Sequence, residues 1–226
     1  MSEETLGKHV TSEIKATVKS LLPESVVQEV RRYRTYQRAE RRLYLKIRLS
    51  NSIGLANPKS FRPLESARSF VFVCFGNIIR SPMCEALMKR ALAAIPRAGF
   101  TVDSAGLNAV SGTAAHPWAV TAAEELGICL KNHRAKLLTP EMVAKADVIF
   151  SMDYQNQVQL LSRYPRASKK TFMLGAYAGR DYGSIEIADP YHNGQQATCS
   201  CYKVLNHCIQ NLAHTLCDGL PTSGPV

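Results

Sequence analysis

The chain has 226 residues, 46% of them hydrophobic and 20% charged, with a formal net charge of +10. That composition excludes global disorder and fits one globular domain carrying an appendage rather than two complete cores. No apolar run approaches the roughly 18 residues needed to cross a bilayer, and the start MSEETLGKHV lacks the basic end and apolar centre of a signal peptide, so a cytoplasmic address is expected.

The positive charge is uneven. Residues 1–68 hold 14 Lys or Arg against 7 Asp or Glu, a net of +7, and the remaining residues supply only +3. Apolar residues at helical spacing (Val10, Ile14, Val18 and Leu21) predict a helix over 3–22, ended by Pro23. A second helix is predicted from about Glu24 to Leu49. One of its sides carries Val26, Val30, Tyr33, Tyr36, Leu43 and Ile47, and the other Arg31, Arg32, Arg34, Arg38, Arg41, Arg42, Lys46 and Arg48. This basic stretch, residues 28–49, suits a solvated or docked face, or a surface for an anionic partner or a membrane. The Ser-, Asn-, Gly- and Pro-rich run over 50–69 has no period and has the composition of a linker.

Strand and helix patterns alternate beyond the linker. SFVFVC is a buried strand, residues 82–94 a helix, FTVDSAG a strand entering a loop, and 117–126 a helix opened by Pro117. ADVIFSMD supplies another short strand, 154–163 a helix, KTFML a strand, and about 196–217 a closing helix. Such alternation predicts a mostly parallel sheet covered on both faces.

VFVCFGNIIRSP, residues 71–82, carries the chemical signal. Cys74 ends a strand, where open parallel sheets place their ligands. Gly76 and Asn77 tolerate unusual backbone angles, so the amides of Phe75, Gly76, Asn77, Ile78, Ile79 and Arg80 can turn inward as an anion nest. Arg80 supplies a two-pronged contact to oxygens, and Ser81-Pro82 opens a helix whose dipole favours negative charge. The same donors stabilise a thiolate, so a phosphate cradle also activates Cys74 as a nucleophile toward phosphorus. The leaving oxygen needs a proton, and Asp189, in the loop-like IEIADPYHNG, is the candidate general acid, with Tyr191 placed to flank a substrate ring. No metal or other cofactor is required. Cys199, Cys201, His207, Cys208, His214 and Cys217 invite a metal site, but Cys201, Leu205, Cys208 and Leu212 form one helical stripe better explained by core packing. Seven scattered cysteines suit reduced thiols rather than a disulfide framework.

At these residues the chain resembles the low-molecular-weight protein tyrosine phosphatases. The resemblance covers about residues 69–217, with VCFGNIIRSP, VDSAG, NHRAKLLT, SMD and DPY in the family's order. It implies Cys74 as nucleophile, Arg80 as phosphate-gripping arginine, Asp189 as proton donor, and Asn77, Ser81, Ser104 and His133 as loop support. It places a substrate pocket at Ile78, Val110, Tyr191 and His192. The fold implied is an α/β three-layer sandwich with a four-stranded parallel sheet. The organisation expected is then a helical extension over 1–50, a linker over 51–68 and a phosphatase-like catalytic domain over 69–220.

Three departures stand out. Ile79 replaces a cysteine often found before the arginine, which removes a resolving thiol. His192 stands where many members have a second tyrosine, and Val110 where an aromatic is common. The expected substrates are a phosphorylated protein bearing phosphotyrosine or a small phosphate ester. The rival readings are a phosphate-binding module recruiting an anionic partner through the basic helix, and a thiol-dependent arsenate reductase, for which Cys129 is the only central cysteine.

Overall fold

A computed structural model describes residues 23–53, 66–93, 99–179 and 182–218. The helix expected over 3–22 and most of the expected linker lie outside these residues. The chain divides into two compact units, Met1–Leu45 and Lys46–Val226.

The helix predicted over 24–49 is two helices, α1 (Glu24–Thr35) and α2 (Arg38–Ser52). Tyr36 is extended, with ψ 146°, and breaks the run. The break is stabilised locally. Glu40 accepts from the Gln37 amide at 3.0 Å, a carboxylate reaching back over the first turn of α2, while Arg41 donates to the carbonyls of Tyr36 and Arg34. Tyr36 and Tyr44 are buried with their rings 5.3 Å apart, and Tyr33 lies 6.0 Å from Tyr44. These tyrosines are thus spent on packing. Because α2 runs to Ser52, the first two residues of the expected linker are helical.

The second unit contains a four-stranded parallel sheet in the order β2-β1-β3-β4, formed by β1 (Ser69–Cys74), β2 (Thr101–Gly106), β3 (Val148–Ser151) and β4 (Thr171–Met173). The other helices are α3 (Arg80–Ala93), α4 (Pro117–Glu124), α5 (Pro140–Lys145), α6 (Tyr154–Arg163) and α7 (Gly194–Asp218). Each element predicted beyond residue 69 is present within a few residues of its expected ends. The six-residue α5, capped by Thr139, carries one buried apolar residue, Val143, and is too short to show a period.

β1 is buried on both faces, as an inner parallel strand must be. Phe70, Phe72 and Cys74 join Met83, Leu87 and Met88 of α3, Ala119 and Ala122 of α4, and Tyr202, Leu205, Cys208 and Leu212 of α7 in one core. The stripe of Cys201, Leu205, Cys208 and Leu212 therefore packs inside. Burial pushes the Cys201 and Cys208 thiols up to about 12 and raises Cys84 well above its ordinary value, so all three stay protonated at neutral pH. α6 packs on β3 and β4, and α5 against β1. With β2 on one side of β1 and β3 on the other, the chain reverses direction across the sheet at the carboxyl end of β1, the place where such sheets leave a crevice. Cys74 stands there.

The segment leading to Asp189 is fixed from below. The Ile187 amide donates to the Met152 carbonyl at 2.8 Å. At Gly175, in the 3₁₀ turn after β4, a Cβ would stand 2.2 Å from the Ile185 carbonyl oxygen. Only glycine permits that approach. Gly175→Ala is expected to displace this backbone and destabilise the fold by about 1–3 kcal/mol. In a thermal melt that corresponds to a loss of roughly 3–10 °C.

Candidate active site

The loop between β1 and α3 turns on Asn77, whose φ of 54° places it in the left-handed region. Asparagine is among the few side-chain-bearing residues that visit this region readily. Asn77 is fully buried and its side chain is fully used. Nδ2 donates to Ser81 Oγ at 2.8 Å and to Ser104 Oγ at 2.9 Å, and Oδ1 accepts from the Lys136 amide at 2.8 Å. Its carbonyl is bonded to His133 Nε2 at 2.7 Å. One residue is thus pinned to α3, to β2 and to the segment 133–136. Gly106, at the end of β2, lets the loop settle this low, because a Cβ there would lie 2.8 Å from the Asn77 nitrogen and the Gly76 carbonyl carbon.

The bend aims the Asn77 amide at Cys74 Sγ, 3.3 Å away. Ser81 Oγ lies 3.1 Å from the same sulfur and also reaches the Ala105 carbonyl at 3.3 Å. Among the described residues, none accepts a hydrogen bond from the amides of Gly76, Ile78 or Ile79. Backbone donors left open at the rim of a concave loop favour an anion. The loop carbonyls, by contrast, are occupied: Ile78 O accepts from the His116 amide at 2.9 Å, and Ile79 O from Tyr202 Oη at 2.9 Å.

Arg80 begins α3, its side chain almost wholly buried. Nη1 donates to Asp153 Oδ2 at 2.6 Å and to the Ile187 carbonyl at 2.9 Å, while Nη2 is paired with Asp189 Oδ2. Burial opposes the charge, but Asp153 and Asp189 outweigh it and push the pKa above the ordinary arginine value. Asp153 has a second duty: its Oδ1 caps α6 by accepting from the Asn156 amide at 2.7 Å. Asp189 is partly open, its side chain 41% exposed against 11% for Asp153. Its Oδ1 accepts from the Tyr191 amide at 3.2 Å.

These groups surround a cavity of about 480 Å³. Cys74, Phe75, Gly76, Ile78, Ile79 and Arg80 form its floor and near wall, and Val110, Asp189, Tyr191 and His192 stand around it. Asn108, Thr113 and Gln155 also line it, none of them singled out in the sequence. Val110 is 74% exposed, so the wall at that position is a solvated aliphatic rather than a ring. Asn77, Ser81, Ser104 and His133 lie behind the loop rather than in the cavity. Position 79 is filled by a buried isoleucine.

Sequence reasoning passed over three contributors. Asp153 was legible as a helix cap just before the 154–163 pattern, but its grip on Arg80 spans 73 positions and leaves no local trace. Glu85, which accepts from Ser104 Oγ at 2.5 Å and pairs with Lys89, is an ordinary surface-type residue in sequence. His116 had no signal beyond standing before Pro117.

The sequence profile of the family described as low molecular weight phosphotyrosine protein phosphatase matches residues 69–220. A relative from Ralstonia nicotianae, named a probable low molecular weight protein-tyrosine-phosphatase EpsP, is 39% identical over 124 residues, covering 55% of this chain and 79% of its own. The solved tyrosine phosphatase Wzb from Escherichia coli K30, in complex with sulphate, superposes with a TM-score of 0.60 at 32% identity over 66% of this chain and 99% of that one. The YwlE arginine phosphatase from Geobacillus stearothermophilus gives 0.59 at 31% identity over 66% of this chain and 92% of that one.

The geometry at Asn77 separates conformation from hydrogen bonding. Asn77→Gly keeps the left-handed backbone and loses the three side-chain bonds, and is expected to lose about 2–4 kcal/mol. Asn77→Ala should lose about 1 kcal/mol more, because alanine resists positive φ. Urea unfolding of both variants reads this difference directly.

Proposed function

The chain belongs to the low molecular weight phosphotyrosine protein phosphatase family, and from that premise we propose that it hydrolyses phosphomonoesters, as a protein-tyrosine-phosphatase, through a phosphocysteine on Cys74. The observation that carries the reading is the convergence on one sulfur of the Asn77 amide and Ser81 Oγ, above a buried arginine. Phosphorylated proteins are its substrate class.

In the proposed first step the phosphoryl oxygens take the open loop amides and Arg80 Nη2. Asp189 gives up its share of the guanidinium to them, and its exposure leaves it room to turn toward the ester oxygen. Cys74 Sγ then attacks phosphorus in line, the P–O bond to the leaving group breaks, and Asp189 delivers its proton to the departing oxygen. In the second step water attacks phosphorus, Asp189 takes the proton from it, and the thiolate departs. Arg80 and the loop amides are fixed before charge builds up on the transferring group, the arrangement that lowers such barriers most. Arg80 keeps its place through Asp153, which the substrate does not displace.

The relatives lend no support to the phosphate-binding module or the arsenate reductase. No helix among the described residues is long and apolar enough to cross a membrane, and a cytoplasmic site of action is the proposal that goes with intracellular-type free thiols. The exposed Arg31, Arg34, Arg38, Arg42 and Lys46 support a further part of the reading, that residues 28–49 meet an anionic partner or membrane surface.

Cys74→Ser is expected to abolish steady-state turnover of an aryl phosphate while inorganic phosphate still binds, as followed by calorimetry; full activity would refute the nucleophile. Asp189→Ala should slow turnover by about 10²–10⁴-fold with poor leaving groups and far less with activated aryl esters. A series of phenyl phosphates of graded leaving-group pKa measures the slope, and phosphoarginine assayed alongside tests the substrate class.

A further inference from the structure

His116 sits outside the cavity lining yet is joined to three parts of the site. Its amide donates to the Ile78 carbonyl of the phosphate loop at 2.9 Å. Its Nδ1 accepts from the Trp118 amide at 3.3 Å and so caps α4, which leaves the proton of a neutral ring on Nε2. Its ring lies 5.6 Å from that of Tyr191 at an interplanar angle of 70°, an edge-to-face contact, and 4.6 Å from that of Trp118. Tyr191 is 46% exposed, and it also meets the ring of His192, itself exposed, at 4.9 Å. Of the two histidines whose rings meet Tyr191, His116 is held twice, by its backbone amide to the phosphate loop and by its ring to a helix start. It therefore sets where the Tyr191 ring stands relative to the phosphate position.

We propose that His116 is a specificity-determining positioning residue: its ring fixes Tyr191 as a wall against which the flat leaving group of an aryl phosphate stacks. The inference rests on the phosphatase reading above and deepens it. An arginine side chain or an alkyl chain gains less from a rigid aromatic wall than a phenyl ring does, so the contact favours phosphotyrosine over non-aromatic phosphates. The two roles of His116, ring contact and helix cap, are chemically separable. Asparagine retains a cap acceptor and lacks the ring. Phenylalanine retains a ring and lacks the acceptor.

The test compares the wild-type protein, His116→Asn, His116→Phe, Tyr191→Ala and the double variant H116N/Y191A. The measurements are KM for O-phosphotyrosine, Ki for inorganic phosphate, and the thermal midpoint. His116→Asn is expected to raise KM about three- to tenfold, the scale of one aromatic pair, with Ki moving less than twofold because phosphate alone reads the loop and Arg80. His116→Phe should keep KM near the wild-type value and lower the midpoint by about 2–4 °C through loss of the cap. In the Tyr191→Ala background, His116→Asn should raise KM no further, the signature of one residue acting through the other.

An unchanged KM in His116→Asn overturns the inference. So does a Ki that rises in step with KM, which marks a damaged loop, or a His116→Phe variant as impaired in KM as His116→Asn. Additive effects with Tyr191→Ala overturn it as well. A wild-type protein that hydrolyses no phosphate ester overturns the reading beneath it, and the inference falls with it.

Discussion

The site depends on holding Asn77 at positive φ inside the protein. A left-handed residue in a buried loop is unstable by itself, and here four hydrogen bonds from three separate parts of the chain keep it there. Its cost in backbone strain is modest for asparagine, whereas an unmet amide at full burial would cost more than the strain. Because every polar atom of the side chain is matched, the bend has one orientation. That orientation aims the Asn77 amide at the Cys74 sulfur. The parallel sheet supplies the ground for this, since β1 and β2 end side by side at Cys74 and Gly106.

Arg80 adds the electrostatic half. A guanidinium this deeply buried needs compensation, and Asp153 supplies it from a position that also caps α6. The arrangement divides two carboxylates by their exposure. Asp153 is enclosed and stays with the arginine, while Asp189 is open to solvent and can exchange its place with another anion. Two aspartates on one guanidinium are thus set apart by their surroundings alone, the enclosed one as support and the open one in the role proposed for it above.

The sheet and most of its helices were legible because their signals are local: apolar runs of four to six residues ending in Cys74 or Met152-Asp153, and prolines at helix starts such as Pro117. Cys74, Gly76, Asn77, Arg80 and Ser81 were legible together for the same reason, as one loop contains them all. What escaped was long-range or cryptic. The break at Tyr36 lies in a run whose residues all suit a helix, and it is decided by Arg41 and Glu40 folding back from the next helix and by rings meeting at Tyr44. Asp153, Glu85 and His116 act on residues 73, 19 and 38 positions away or more, which no spacing rule spans. The pocket walls were half legible: Tyr191 lies two residues after Asp189, but the His116 ring it meets comes from 75 positions earlier in the chain.

Ser81 has one hydrogen and two places to put it, the Ala105 carbonyl at 3.3 Å and the Cys74 sulfur at 3.1 Å. When sulfur carries its own proton, the thiol donates to Ser81 and the hydroxyl turns to the carbonyl. When sulfur is an anion, the hydroxyl rotates to it, and Asn77 Nδ2 continues to bond the serine oxygen in both cases. The Cys74 sulfur can gain and lose a full unit of charge with the rotation of a single light atom, so in the proposed mechanism the surrounding framework has almost nothing to reorganise between one form of the sulfur and the next.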